Sequence, residues 1–295
     1  MTYFINLKSL FFFSVTLLPL TTATPRPFQI LPRSIPGPPP DPPQPSGDGT
    51  ASGIYKSGGS PTFSDHEIFA LCKTFVYGAD LYGWNNAAAH MNHYLDNTGT
   101  DYENNVEDMM HDIPQFRTAA QTLVNSAAKA AYEEVKAKGP DNSQTFQTEW
   151  AGYGYFAPDG FACSKDWYYA DGAFSYSASG EVSIGKGGEA SLQYVIYVFD
   201  RYNWDAGKST QISFPIIGTK TFTDDEIGRL NKVGLARVYV VRGKSAVNTV
   251  EKYEGEGVPL PGIGGMKVKR GRGDGCPGQS ESLGSKAKAI WDDVF

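Results

Sequence analysis

An α+β fold, with a helical N-terminal layer packed on an antiparallel β-sheet, is predicted by a change of period along the chain. From residue 64 to 138 apolar side chains recur at helical spacing, and from about 145 to 253 they alternate. The junction carries Gly139-Pro140, where a helix stops.

The chain opens with MTYFINLKSLFFFSVTLLPLTTATP: one lysine, an apolar run from Leu10 to about Leu20, then small residues at Thr21 to Ala23. Residues 1–23 therefore read as a secretory signal peptide, too short to span a bilayer. Residues 24–53 are proline-rich and are expected to be a disordered linker or propeptide in extended polyproline II form. Residues 54–255 make the α+β domain, and the glycine-rich residues 256–295 a flexible tail.

Within the domain, SDHE at Ser64 to Glu67 reads as a capping box, followed by Ile68, Cys72, Phe75, Val76 and Ala79 on one helical face. NNAAAHMNHYLDN gives a second helix. A third starts at Pro114, which suits a first helical position, and runs to Lys138 with Phe116, Ala120, Leu123, Ala127, Ala131 and Val135 as its stripe.

GAFSYSASGEVSI alternates, with Phe174, Tyr176, Ala178, Val182 and Ile184 on one face. After the turn GKGGEA comes SLQYVIYVFDRYNW, apolar on both faces as a central strand is. A hairpin closed around Gly188 or Glu189 pairs even positions with even, so Leu192, Tyr194, Ile196 and Val198 continue the core face and Asp200 and Tyr202 end it. Asp200 then falls opposite Phe174 or Tyr176, where it needs a cleft or a partner such as Arg237. Thr223 to Glu226 is another capping box opening a short helix, and ARVYVVRGKSAV is a further strand.

The chain has 295 residues and a net charge of −6, and its one short basic run is KVKRGR near the end, which argues against nucleic acid as a partner. Past the leader no segment approaches a membrane span. Secretion permits disulfides, yet the three cysteines, Cys72, Cys163 and Cys276, cannot all pair internally. Cys72 lies on an apolar helix face, which leaves a Cys163–Cys276 bridge as an option.

The run AGKST is not a phosphate loop, since Tyr202 stands where its first glycine is needed, and the second GKS has Val238 there. His90 and His93, one turn apart, could share a metal with Asp96, Asp108 or His111, although the spacing equally suits a solvated helix face. No nucleophile elbow is present. Paired carboxylates are the stronger constellation: Asp166 and Asp171 flank WYYA, and Asp200 and Asp205 flank RYNW. With Lys208 and Arg201 nearby they could bind a divalent cation or act as acid and base. The candidate catalytic residues are therefore Asp200, Tyr202, Asp205 and Lys208, and the candidate substrate-binding residues Trp167, Tyr168, Arg201 and Trp204.

The block from DWYYADGAFSY through YVFDRYNWDAGKS to DDEIGRLNKVGLARVYVVRG, preceded by HYLDNTGTDY, resembles uncharacterised secreted bacterial and fungal proteins, including C-terminal toxin-like domains. More loosely, Asp200-Arg201-Tyr202 resembles the Asp-x-Tyr-Asp signature of colicin M-type bacteriocins, which cleave the lipid-linked peptidoglycan precursor with magnesium. That resemblance implies Asp200 and Tyr202 as catalytic. The chain departs from the signature at Asn203, and at Ser209 and Thr210, where the family has His-Arg. The expected protein is a secreted, extracellular effector or toxin-like molecule acting on a cell-surface or cell-wall target. The alternatives are a non-catalytic glycan- or lipid-binding module and a purely structural wall or surface protein.

Overall fold

The computed structural model describes residues 35–154, 164–214, 218–259 and 261. The expected signal peptide at residues 1–23, Cys163, Cys276 and all residues beyond Pro261 lie outside the described residues.

The helical half holds α1 (Phe63–Tyr82), α2 (Asn85–Leu95), a strand β1 (Tyr102–Asn104), α3 (Val106–Asp112) and α4 (Pro114–Lys138). The remainder runs β2 (Asn142–Gln147), β3 (Ala151–Tyr153), α5 (Lys165–Asp171), β4 (Phe174–Ile184), β5 (Ala190–Tyr202), β6 (Ser209–Phe214), β7 (Gly218–Thr223), α6 (Asp224–Val233), β8 (Tyr239–Lys244) and β9 (Asn248–Glu251). The class is α+β, as expected. The sheet, however, is mixed: its order is β1-β8-β5-β4-β2, with β3 on β4 and β9 on β5, and β1 runs parallel to β8.

Two helix starts show the local logic. The box at α1 begins two residues before the expected Ser64: Thr62 accepts from the Asp65 N–H while the Asp65 carboxylate takes the Thr62 N–H and hydroxyl. Arg229 of α6 also grips Asp65, at 2.6 and 3.1 Å, which fixes Asp65 as the N3 residue. α4 starts at Pro114 and ends at Lys138 as read, because proline is tolerated where no intrahelical N–H bond is due and Gly139 has φ 84°.

The β4–β5 hairpin has the even-to-even register: Tyr176 faces Val198, Ala178 faces Ile196 and Val182 faces Leu192. One core forms where α4 lies on β4 and β2, built from Phe116, Val124, Val182, Leu192 and Ile196. A second joins α1, α2 and α6 to the far ends of β5 and β8, through Phe75, Tyr94, Tyr202, Leu230 and Tyr239. β5 belongs to both cores. The seam between them crosses it near Asp200, where a cleft can open without breaking either core.

Residues 35–53 overturn the expectation of a free spacer. This strap lies against the sheet, and its carbonyls are bonded one after another: Tyr197 donates to Pro36, Gln147 and Ser179 to Gly37, Trp150 to Pro40 and Arg201 to Pro42. Arg242 holds Asp41 with two bonds of 2.6 and 2.8 Å. A proline-rich backbone cannot pair with itself, so its acceptors are free for donors elsewhere in the fold. Downstream, the Ala51 and Ser52 N–H groups donate to the Trp204 carbonyl, and Ser52 Oγ accepts from the Trp204 N–H.

Candidate active site

A cleft of ≈ 1330 Å³ opens at the seam. The strap from Pro42 to Thr50 forms one wall, α5 from Tyr168 to Asp171 another, and the end of β5 the floor. Seven of the eight candidate residues line it: Asp200, Arg201, Tyr202, Trp204, Asp205, Lys208 and Tyr168. Trp167 does not. The residue is only 2% exposed and its indole N–H donates to Asp112 Oδ2 at 3.0 Å, so it is a core residue with a satisfied polar tip.

Strand register explains why Asp200 and Tyr202 reach the cleft together. Directly paired residues share a face, and Asp200 pairs with Val241 and Tyr202 with Tyr239, while Tyr102 and Asn104 of β1 pair with Val241 and Gly243. The row therefore reads Tyr102, Val241, Asp200 across three strands. Gly243 has no side chain because a Cβ there would come within 2.8 Å of Val106 Cγ2 and 2.9 Å of the Asn104 carbonyl. α2 and α5 cover this face, and each contributes a buried polar residue, His90 and Asp171.

Asp200 is half-buried, and its carboxyl is pushed well above the usual range by burial and then by the neighbouring Asp171 charge, with Asp48 adding to the effect. The Arg201 N–H and charge oppose this shift, although the Arg201 guanidinium itself donates to the Pro42 carbonyl and stacks over Phe199; Arg237, the expected partner, donates instead to the Thr98 carbonyl over the Tyr55 ring. The Tyr202 hydroxyl is raised far above its ordinary value, by burial first and then by Cys72, Asp171 and Asp200. It has no hydrogen-bond partner. Asp205 is salt-bridged to Lys208 at 2.6 Å and accepts the strap N–H of Gly49 at 2.7 Å. Asp224, which binds the Asp205 N–H, is raised by burial.

Of the other carboxylates, Asp166 is structural: it accepts from the Asn86 and Ala87 N–H groups at 3.2 and 2.7 Å and so caps α2 from outside, as Trp84 at its N-cap cannot. Asp171 is different. Its side chain is 0% exposed, Oδ2 accepts from Asn104 Nδ2 at 2.9 Å, and Oδ1 has no partner. Its carboxyl is raised by burial, against the opposing pull of His90 and of the Asn104 bond.

The histidine pair does not act as one site. His90 is buried and bonds Asn104, His93 bonds the Thr100 carbonyl, and His111 bonds Asp112. Among the described residues no three His, Cys, Asp or Glu side chains come together to hold a metal ion. The divalent cation that the carboxylates and the bacteriocin resemblance implied is thus not matched by a ligand set, and no chemical step here is routed through one. Nor, among the described residues, is any helix long and apolar enough to cross a membrane. Sequence reasoning named His90 only as a possible metal ligand with His93 or as part of a solvated helix face, and it missed Asn104 and the strap as parts of this region.

No protein-family model matches the sequence, and no curated protein does. Among solved structures, PaeM, a colicin M-like bacteriocin produced by Pseudomonas aeruginosa, is similar over 56% of this chain and 50% of its own, at 17% identity and a TM-score of 0.28. Truncated syringacin M, a bacteriocin from Pseudomonas syringae pv. tomato DC3000, is similar over 56% of this chain and 59% of its own, at 12% identity and a TM-score of 0.27. This chain spans between half and about three-fifths of the two bacteriocins it aligns with.

Proposed function

We propose that this chain is a secreted, toxin-like enzyme that cleaves a cell-surface or cell-wall substrate by acid–base chemistry at Asp200. The observation that carries the reading is the state of that carboxyl: it ends an apolar strand face, opens on the cleft, and is held towards its neutral form by burial and by Asp171. A carboxyl shifted towards its neutral form is suited to deliver a proton to a leaving-group oxygen and then take one back from the attacking water. Tyr202, on the same face two residues on, also lines the cleft, but its unpartnered hydroxyl is buried, so its part is to shape the floor under Asp200. Asp205 and Lys208 form the rim, and Tyr168 and Trp204 offer aromatic surface for a sugar ring or a lipid.

The finer reading, phosphodiester cleavage in a lipid-linked cell-wall precursor, is favoured by one fact: Asp200 and Tyr202, the two positions that match the colicin M signature, face one cleft. A non-catalytic glycan- or lipid-binding module would use the same aromatic wall without needing Asp200 as an acid. Expression of the chain without its leader in the bacterial cytoplasm, against export to the periplasm, tests where a target lies. Asp200→Asn on the same background tests the mechanism. Growth inhibition in one compartment, lost in a variant that unfolds at the wild-type denaturant midpoint, supports the enzyme. A folded Asp200→Asn that still inhibits growth refutes it, and inhibition retained with undiminished ligand binding favours the binding module.

A further inference from the structure

Residues 36–42 of the strap, PGPPPDP, cross the face of the sheet to which Tyr197, Phe199 and Arg201 of β5 point, alternating with Val198, Asp200 and Tyr202 on the other. Arg242 of β8 pairs with Phe199 and so shares this face, which the cleft reaches at Phe199 and Arg201. The segment belongs to no helix or strand, yet its exposure repeats every third residue: Pro39 is buried and Pro36 and Pro42 are half-buried, while Gly37, Pro38, Pro40 and Asp41 are exposed. Three residues per turn is the period of polyproline II, so Pro36, Pro39 and Pro42 make one inward edge. The body meets that edge with donors. Tyr197 Oη reaches the Pro36 carbonyl at 3.2 Å, Gln147 Nε2 and Ser179 Oγ the Gly37 carbonyl at 2.8 and 2.9 Å, Trp150 Nε1 the Pro40 carbonyl at 2.8 Å and Arg201 the Pro42 carbonyl at 2.5 Å. Aromatic surface lies between them, with the Trp150 and Phe199 rings 5.8 Å apart and the Arg201 and Arg242 guanidinium groups 4.8 and 5.3 Å from the Phe199 ring. Arg242 takes both oxygens of Asp41.

We propose that this face is a docking groove for proline-rich segments, that the strap is its occupant in cis, and that a polyproline II segment of another protein, with prolines three apart and a carboxylate two residues after the central one, takes the same place in trans. The groove reads backbone and spacing. Its donors go to carbonyls, which any polyproline II segment presents because it cannot bond them itself, and Asp41 is the one side chain of residues 36–42 that makes a bond among the described residues. Charge complementarity fixes the rest: Arg242 and Arg201 at one end of the groove call for an acid there and exclude a base. The cis occupant is also exchangeable. The Arg242–Asp41 pair is half exposed, 44% and 46%, and such pairs hold weakly. Residues 43–48 make no hydrogen bond outside the strap among the described residues, since Gln44 Nε2 donates to the Asp48 carbonyl and the Asp48 N–H to the Pro45 carbonyl. Residues 36–42 can therefore lift while Ala51 and Ser52 stay bonded to Trp204. None of this depends on Asp200 acting as an acid.

The test is fluorescence anisotropy with labelled peptides and the full chain. One peptide has the strap's own sequence, IPGPPPDPPQ, and a second keeps its proline spacing and carboxylate but changes the residues between. The tether holds the strap over its groove at an effective concentration of about 1 mM, so the wild type should bind both peptides weakly. The double variant Pro39→Glu, Asp41→Lys puts a charge at the buried proline and reverses the one that faces Arg242. Its strap should lift, seen as faster cleavage between residues 35 and 53, and both peptides should then bind about tenfold more tightly or better. Arg242→Glu on that background should reject the acidic peptides and accept one with lysine in the carboxylate position. Moving the carboxylate by one residue within the peptide, which leaves the protein untouched, should weaken binding about tenfold. A strap that stays protected in the double variant overturns the proposal. So does a lifted chain that binds neither peptide, or that binds without regard to proline spacing and the carboxylate's place. Capture of the strap's own sequence alone overturns an outside partner in favour of a second copy of this chain.

Discussion

Gly228→Ala should lower the stability of this protein, although the same change in an ordinary helix raises it. Gly228 sits inside α6, where replacing glycine by alanine gains about 1 kcal/mol from backbone entropy. Here a Cβ would come within 2.6 Å of the Ala51 carbonyl carbon, 2.7 Å of its oxygen and 2.8 Å of the Ser52 nitrogen. Those atoms are backbone and cannot swing aside, so either the helix shifts or the strap lifts. Lifting it would break the bonds from Ala51 N and Ser52 N to the Trp204 carbonyl, from Trp204 N to Ser52 Oγ, and from Asn231 Nδ2 to the Ser52 carbonyl. Each is worth about 1 kcal/mol net, and overpacking generally costs about 1–3 kcal/mol. Set against the helical gain, the change should destabilise by about 1–3 kcal/mol, or a melting temperature lower by roughly 3–10 °C for a domain of this size. Thermal unfolding gives the magnitude, and limited proteolysis gives the place, because a displaced strap should be cut faster between residues 35 and 53. A melting temperature raised by the helical gain alone, with the strap still protected, would refute the docked strap.

Two further outcomes test other parts of the fold. Burial tends to raise the Asp65 carboxyl, but the Arg229 guanidinium and the Thr62 N–H and hydroxyl outweigh it and bring it from 3.8 to about 2. Its contribution is therefore complete above about pH 4 and is lost as the pH falls towards 2. Discounted for the exposure of Arg229, it is worth about 1–2 kcal/mol, so Asp65→Asn should flatten the stability curve between those pH values, and curves that stay parallel would refute it. Cys72 is buried, and burial pushes its thiol up to about 12, so it should react with a thiol reagent at pH 8 only after unfolding; ready labelling of the native chain would show that α1 is not packed as described.

What could be read in advance depended on whether one element's own pattern was enough. The β4–β5 register followed from period and turn, because a one-residue slip would turn Tyr176, Ala178 and Val182 outward together. Asp200 was legible for the same reason, as the polar residue that ends an apolar face. β1 was missed because three residues, Tyr102 to Asn104, are too few to show a period, and its parallel pairing to β8 joins positions about 140 residues apart. The strap was misread for a physical reason. Proline density reports that a segment cannot build its own ladder, and it says nothing of donors such as Arg201, Trp150 and Tyr197 that other elements turn towards its carbonyls.

The buried group of His90, Asn104 and Asp171 is the sharpest case of the same limit. In sequence, His90 lies in a helix with a second histidine and reads as a metal ligand or a solvated residue, Asp171 reads as one of a pair of candidate carboxylates, and Asn104 carries no signal; nothing in the pattern brings the three together. Burial of any one would cost several kcal/mol without partners, and each becomes tolerable only because the other two bring complementary atoms, from 14 and 67 residues away along the chain. Their burial is thus a collective property. Asp171, which the sequence offered as a candidate carboxylate, lines the same cleft as Asp200, but that it is buried and held by Asn104 follows only from the fold.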